Sequence, residues 1–161
     1  MQLKQFINFN LFLILTFLVG GCSQNPNNHK NSYYKKMEKL KYINHVNDFK
    51  WKNRLLVIRN KNQKLLFEQI KKNKNKLIDR DIAVIVIKGN NAFIKNNLLS
   101  EKFFKSLNKK MKHLDNSYET ILFGLDGKIK KIYEKNIDLN EIFVDIDKMP
   151  MRMNEIKRNN Y

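Results

Sequence analysis

Cys22 is the only cysteine in the 161-residue chain, so any thiol chemistry must run through it. Nothing downstream can pair with it as a dithiol or a disulfide. The histidines, His29, His45 and His113, show no metal-ligand spacing. Ser100, Ser106 and Ser117 lie in no nucleophile-elbow motif, and no glycine-rich phosphate loop is present. Catalytic residues, metal ligands and cofactors are therefore all assigned as none. The remaining candidates are charged or aromatic. Asp79, Arg80 and Asp81 form the densest charge cluster, expected to be a solvated turn with a local ion pair. Trp51 and Arg54 could form a recognition pair, although Trp51 is expected to anchor the core or rim where the sheet begins. Arg59-Asn60-Lys61-Asn62 precedes a predicted helix whose free backbone N–H groups could hold an anion.

The surroundings of Cys22 give it a different chemistry. Lys4 is followed by the apolar run Leu11–Val19, then Gly20 and Gly21. A charged start, a short apolar core and small residues form a secretory signal. The run is shorter than the roughly 20 apolar residues of a confident membrane span. Val19-Gly20-Gly21-Cys22 resembles the lipobox of bacterial lipoproteins, in which the cysteine is acylated and becomes the first mature residue. That resemblance implies a signal peptide over 1–21, a lipid anchor at Cys22 and a place on the extracytoplasmic side of a membrane. Ser23, rather than Asp, follows Cys22 and resembles an outer-membrane sorting signal. Residues 23–35 are too polar to bury a core, so 22–45 are assigned to the acylated cysteine and its tether.

The formal charge is +17. Attraction to anionic headgroups is one consequence. The lysines are spread along the whole chain, however, which fits compositional drift better than a dedicated basic patch. Nucleic acid is a poor partner for an exported chain without a recognition motif. The lysine-rich face of the helix near His113 is expected to be solvated.

The positioning elements follow from periodicity. Leu55–Ile58 reads as a buried strand. Asn62 would cap a helix bearing Leu66, Ile70 and Leu77 on its core face. Ile82–Ile87 is an unbroken apolar run, expected to be the central strand with both faces covered. Gly89-Asn90-Asn91 ends it. From Leu98 to Leu114, an apolar stripe of Leu99, Phe103, Leu107, Met111 and Leu114 predicts a second helix. Thr120–Leu125 and Lys128–Tyr133 read as a hairpin around Asp126-Gly127, with positive φ at both central positions. Asp138 would cap a last helix, with Glu141 completing a capping box and Ile137 and Ile142 a hydrophobic staple. Pro150 would end that helix. Within residues 36–49, Met37, Leu40, Ile43 and Val46 recur at three-residue spacing, which suggests a helix or irregular turns packed on the domain. The order is βαβαββα: an α/β domain with a mixed four-stranded sheet, helices on both faces, two parallel strands and an antiparallel hairpin.

Four segments occur in order: Trp51–Ile58, Asp79-Arg80-Asp81-Ile82, Leu122–Lys130 and Ile146-Asp147-Lys148-Met149-Pro150-Met151-Arg152. They resemble an uncharacterised bacterial domain-of-unknown-function family, with related domains in secreted sushi-repeat-containing and coiled-coil-domain-containing animal proteins. The resemblance implies a thioredoxin-like or peroxiredoxin-like fold over 46–156, with 157–161 as a tail. It implies no activity. Trp51, Arg54, Asp79, Asp81, Asp126, Gly127, Met149, Pro150 and Arg152 are motif residues without an assigned role. Arg152 is expected to hydrogen-bond the terminal carbonyls of the last helix. A thioredoxin site needs a thiolate at the first helix N-terminus, and here that segment is Arg59-Asn60-Lys61-Asn62. Its facing proline is replaced by Ser117-Tyr118-Glu119. Thiol oxidoreductase and peroxidase chemistry are excluded for want of a cysteine. The expected function is a membrane-anchored, redox-inactive binding or structural module of the cell envelope, with an envelope protein as partner. The alternative is an enzyme or sensor using the anion site around Arg59–Asn62.

Overall fold

The computed structural model describes residues 42–59, 63–115, 117–133 and 137–159. The signal, lipobox and Cys22 expectations lie outside these residues, as do Asn60, Lys61 and Asn62. A 3-10 turn at Val46–Phe49 opens the domain, with His45 Nδ1 accepting from the Asn47 N–H at 3.0 Å. Val46 and Phe49 are buried, so this turn packs on the domain.

Six strands form one mixed sheet: β1 Arg54–Ile58, β2 Ile82–Lys88, β3 Asn91–Ile94, β4 Asn97–Leu98, β5 Thr120–Phe123 and β6 Ile129–Tyr133, in the order β4-β3-β2-β1-β5-β6. The expected four strands are present, with β1 and β2 parallel and β5 and β6 antiparallel. The strand count is corrected from four to six by the hairpins of β3 and β4. Lys88 pairs with Asn91 across a two-residue turn, Gly89-Asn90. Gly89 supplies φ +57 at its first position, which is the type II′ requirement. The next turn, Lys95-Asn96, has φ 48 and 68, the type I′ geometry. Asn97 steadies it by donating from Nδ2 to the Ile94 and Lys95 carbonyls.

Among the described residues, five helices flank the sheet: α1 Lys64–Lys72, α2 Lys74–Asp79, α3 Glu101–Lys110, α4 Leu139–Asp147 and α5 Pro150–Asn159. One face packs Leu55, Val57 and Ile85 against Phe103 and Leu107 of α3 and against the 3-10 turn. The other packs Leu56, Ile58 and Leu122 against α1, α2 and α4. Side chains alternate along each strand, so one sheet feeds two cores.

β2 and β1 together are the middle pair of the sheet, but it is β1 rather than β2 that has both faces covered along its whole length. All of β1 is buried, whereas in β2 only Ile85 is. An apolar run signals burial potential, but neighbours decide the outcome: β1 lies between β2 and β5, while β2 faces the short outer hairpin. The β5–β6 turn also differs from expectation. Gly127 N–H donates to the Gly124 carbonyl at 2.9 Å, and only Gly127 has positive φ, at 69°. The connection is thus a three-residue loop, Leu125–Gly127, ending in a left-handed glycine. Asp138 caps α4 by accepting from the Asn140 N–H at 2.7 Å, at the second helical position rather than the third, and the expected capping box with Glu141 does not form. Pro150 does not merely stop α4. It begins α5, at the first helical position where its missing N–H costs nothing. Residues 157–159, expected as tail, belong to that helix.

Candidate functional site

Most of the charged motif residues meet where β1 begins. Arg54, the first residue of β1, points to the side of α1, α2 and α4 and is only 1% exposed. Its Nη1 donates to the Arg80 carbonyl at 2.9 Å, and its Nη1 and Nη2 grip Glu155 of α5 at 3.3 and 2.8 Å. Arg80 sits at the corner between α2 and β2. Its Nε and Nη2 hold both oxygens of Asp147 at 3.0 and 2.6 Å. Its guanidinium also lies 4.7 Å from the centre of the Phe143 ring. Arg152 donates to the carbonyl and the carboxylate of Asp79, and it contacts Asp147 and Glu155.

Three arginines thus interleave with three carboxylates, and each carboxylate bridges two guanidiniums. The charges balance within the cluster, which offsets the cost of burying them. Burial alone would raise the Glu155 carboxyl, but hydrogen bonds and charge from Arg54 and then Arg152 outweigh it and hold the group low. Burial would likewise lower Arg152; Glu155, Asp79 and Asp147 outweigh it and raise the guanidinium. Arginine does not deprotonate in proteins, and the carboxylates are occupied by guanidiniums. The arrangement is suited to clamping α5 onto the sheet, and poorly suited to proton transfer or nucleophilic attack.

This corrects three expectations. Asp79-Arg80 does form its local ion pair, at 3.3 Å, but both residues also reach distant partners, so the turn is not merely solvated. Arg152 bonds the Asp79 carbonyl at the end of α2, rather than the carbonyls ending α4. Trp51 is 60% exposed with φ 63, which rules out the core half of its expected role and leaves it at the rim just before β1. Its N–H donates to the Leu125 carbonyl at 2.7 Å, and Lys50 Nζ lies 5.3 Å from its ring centre. Trp51 is therefore not brought to Arg54. Asp81, with φ 48, lends its carbonyl to the Arg54 N–H and to Asn53 Nδ2. Asp126 accepts from Lys128 N–H and Lys130 Nζ and belongs, with Gly127, to the β5–β6 turn. Met149 is packed against the second core, and Pro150 starts α5.

At the other end of β1 lies the segment considered for anions. Arg59 donates from its backbone N–H to the Glu119 carbonyl at 2.7 Å and from Nη1 to the Asp115 carbonyl at 3.1 Å. Gln63 stands at the start of α1 without making a side-chain cap. Its amide instead donates to Glu119 Oε2 and accepts from the Thr120 hydroxyl, each at 3.1 Å. Gln63, Glu119 and Thr120 are all buried. None of the three was singled out by residue type. Glu119 could be found only by noting that a carboxyl replaces the proline expected opposite the helix. An anion arriving at α1 would meet this carboxyl.

No group of three or more His, Cys, Asp or Glu among the described residues is arranged to hold a metal ion. Nor is any helix among them long and apolar enough to cross a membrane. The class defined by this geometry is a mixed α/β domain whose charged motifs are committed to holding its own C-terminal helix. The chain belongs to the family described as Domain of unknown function (DUF4174), whose profile matches residues 45–155. That span reaches from the cap of the 3-10 turn to Glu155, the last carboxylate of the clamp. No curated protein and no solved structure matches the chain.

Proposed function

We propose that the protein is a lipoprotein, acylated at Cys22, that displays a redox-inactive thioredoxin-like domain on the extracytoplasmic side of a membrane. In a diderm host the anchor would hold it facing the periplasm, on the inner or the outer membrane, with Ser23 after Cys22 favouring the outer. The domain acts as a binding or structural module of the cell envelope, with an envelope protein as its partner. The lipobox-like Val19-Gly20-Gly21-Cys22 carries the anchored reading, and the commitment of Arg54, Asp79, Arg80, Asp147, Arg152 and Glu155 to one another, in a domain with no thiol, carries the redox-inactive, non-catalytic one. Support for a thioredoxin-like core comes from the partial order β2-β1-β5-β6, with its parallel first pair and antiparallel remainder. Protease added to spheroplasts should digest the domain while cytoplasmic markers survive. A domain protected until the membrane is dissolved would contradict the placement.

The second reading is an enzyme or sensor with an anion site around Arg59, Asn60, Lys61 and Asn62. The uncapped Gln63 favours it, because a helix start without a side-chain cap leaves N–H groups for a ligand. The buried Glu119 carboxyl beside Gln63 argues against it. Titration of the full chain with inorganic phosphate separates the two. A saturable site lost in Arg59→Ala would favour the anion reading.

A further inference from the structure

Trp51, the only tryptophan of the chain, is exposed on a turn that is fixed from both sides. Its backbone is left-handed, at φ 63, a conformation that favours glycine, and its N–H is tied to the Leu125 carbonyl at 2.7 Å. The N–H groups of Lys52 and Asn53 donate to the carbonyl of buried Phe49 at 3.0 and 2.9 Å. A large amphipathic ring is thus held out of the core by a built turn.

Folding gathers basic residues around this ring, although they are spread along the sequence. Lys50 Nζ lies 5.3 Å from the ring centre. Lys50 Cγ and Lys110 Nζ lie 3.8 and 4.0 Å from the position a Cβ would take on Gly127, so the end of α3 and the β5–β6 turn meet the Trp51 turn here. Lys110 Nζ donates to the Gly127 carbonyl and Lys52 Nζ to the Asp48 carbonyl, each at 3.1 Å. Lys128 follows Gly127 and is exposed. These contacts are with a ring and with neutral carbonyls; the lysines in ion pairs among the described residues are Lys105, Lys130 and Lys131. Of the carboxylates in these turns, Asp48 accepts from the Asn44 and His45 N–H groups, and Asp126 is paired with Lys130. Asp81 lies across β1, at the start of β2. The corner is therefore basic, with an exposed indole at its centre.

We propose that this corner docks on an anionic phospholipid surface, with the Trp51 indole at the headgroup level and Lys50, Lys52, Lys110 and Lys128 against the lipid phosphates. This rests on reading the protein as anchored at Cys22. An indole has an apolar body and a polar N–H, which suits the boundary between water and lipid. The tether favours lipid over an acidic protein as the occupant. Nineteen residues separate Cys22 from Tyr42, and as the flexible tether read from composition they reach roughly 24 Å. The chain then enters the domain at Ile43, whose carbonyl accepts from Ser100 beside the start of α3, and passes Ser106 on its way to Asn47 at Gly127. The ten residues of α3 span about 15 Å, so the corner lies within reach of the bilayer that holds the anchor.

Trp51 emission reads docking directly, because no other tryptophan contributes. The full acylated chain is reconstituted in vesicles of phosphatidylcholine, or of phosphatidylcholine with phosphatidylglycerol, each prepared with and without brominated acyl chains. In the anionic vesicles alone, emission should move to shorter wavelength and be quenched by bromine, and high salt should reverse both. Lys50→Gln and Lys52→Gln should each lower the ratio of docked to undocked Trp51 about fivefold. Lys71→Gln, an equal loss of charge on α1, should leave that ratio unchanged. Identical emission in the two vesicles, or an effect of Lys71→Gln equal to that of Lys50→Gln, would overturn the proposal. So would a shift on soluble polyglutamate with none on anionic vesicles, which would make the corner a site for an acidic protein. Flotation of the same samples reads the anchor separately. A chain that floats with both vesicles while Trp51 stays in water has an anchor and no docking. One that floats only with anionic vesicles, with Trp51 quenched, docks without the anchor.

Discussion

Arg54 illustrates how a residue type can be conspicuous while its role is hidden. It lies at the start of a strand and reaches Glu155, 101 positions further along the chain. Removing one partner of a buried ion pair costs about 3–5 kcal/mol because a charge is stranded. Glu155 keeps Arg152 as a partner, so Arg54→Met should lower stability by about 3 kcal/mol, near the foot of that range. Adding Glu155→Met should recover much of the loss, since apolar side chains of similar volume can replace a buried pair. Urea denaturation of the full chain measures both. Full loss in the double variant would mean that the pair is more than a clamp.

Glu155 also fixes a pH dependence. Its carboxyl is held low in the folded chain, so its stabilisation is present above the unfolded pKa and is lost as pH falls through the lower, folded value. On acidification below the ordinary carboxylate range, the wild type should lose stability more steeply than Glu155→Gln. Urea midpoints followed from neutral to acid pH test this, and parallel curves would contradict it. The types in Asp79-Arg80-Asp81 and Met149-Pro150-Met151-Arg152 are readable as unusual from the chain. Their mutual contacts are not, because Arg152 and Asp79 are joined only by folding across 73 positions.

At the level of elements, β1 and β2 reverse their expected ranks. Leu56 is fully buried in β1, and Leu56→Ala should cost about 2–5 kcal/mol. Ile85→Ala, at the one buried position of β2, should fall in the same range of about 2–5 kcal/mol. Val86→Ala, at a half-buried position of β2 that belongs to neither core, should cost about 1 kcal/mol or less, and Lys109→Asp about 0.5 kcal/mol or less. Denaturation midpoints rank the four. A Val86→Ala loss equal to that of Leu56→Ala would mean that β2 is packed as fully as β1.

Periodicity identified β1, β2, β5, β6, α3 and α4 because each carries a long enough apolar repeat. It missed β3 and β4, which are four and two residues long and joined by Lys95-Asn96. That turn has the backbone of a hairpin signal without its usual glycine. It missed α5 because Pro150 reads equally as a stop and as a first helical residue, and no strong apolar stripe resolves the choice. The helix is held by charge instead.

For the whole molecule, the sequence bears on chemistry more firmly than on partners. With Cys22 the sole cysteine, full-length protein purified from membranes should neither reduce insulin nor consume peroxide by a thiol-dependent route. Turnover that survives purification and disappears on thiol alkylation would contradict this. The fold carries two cores and one balanced charge clamp.

Anchoring is tested most directly by metabolic labelling with a fatty-acid analogue in cells producing the wild type or Cys22→Ser. The wild type should be labelled and sediment with membranes. The variant should be unlabelled, and either released from the membrane fraction or retained as a longer precursor. Equal labelling of the two proteins would contradict acylation at Cys22 and, with it, the proposed anchor.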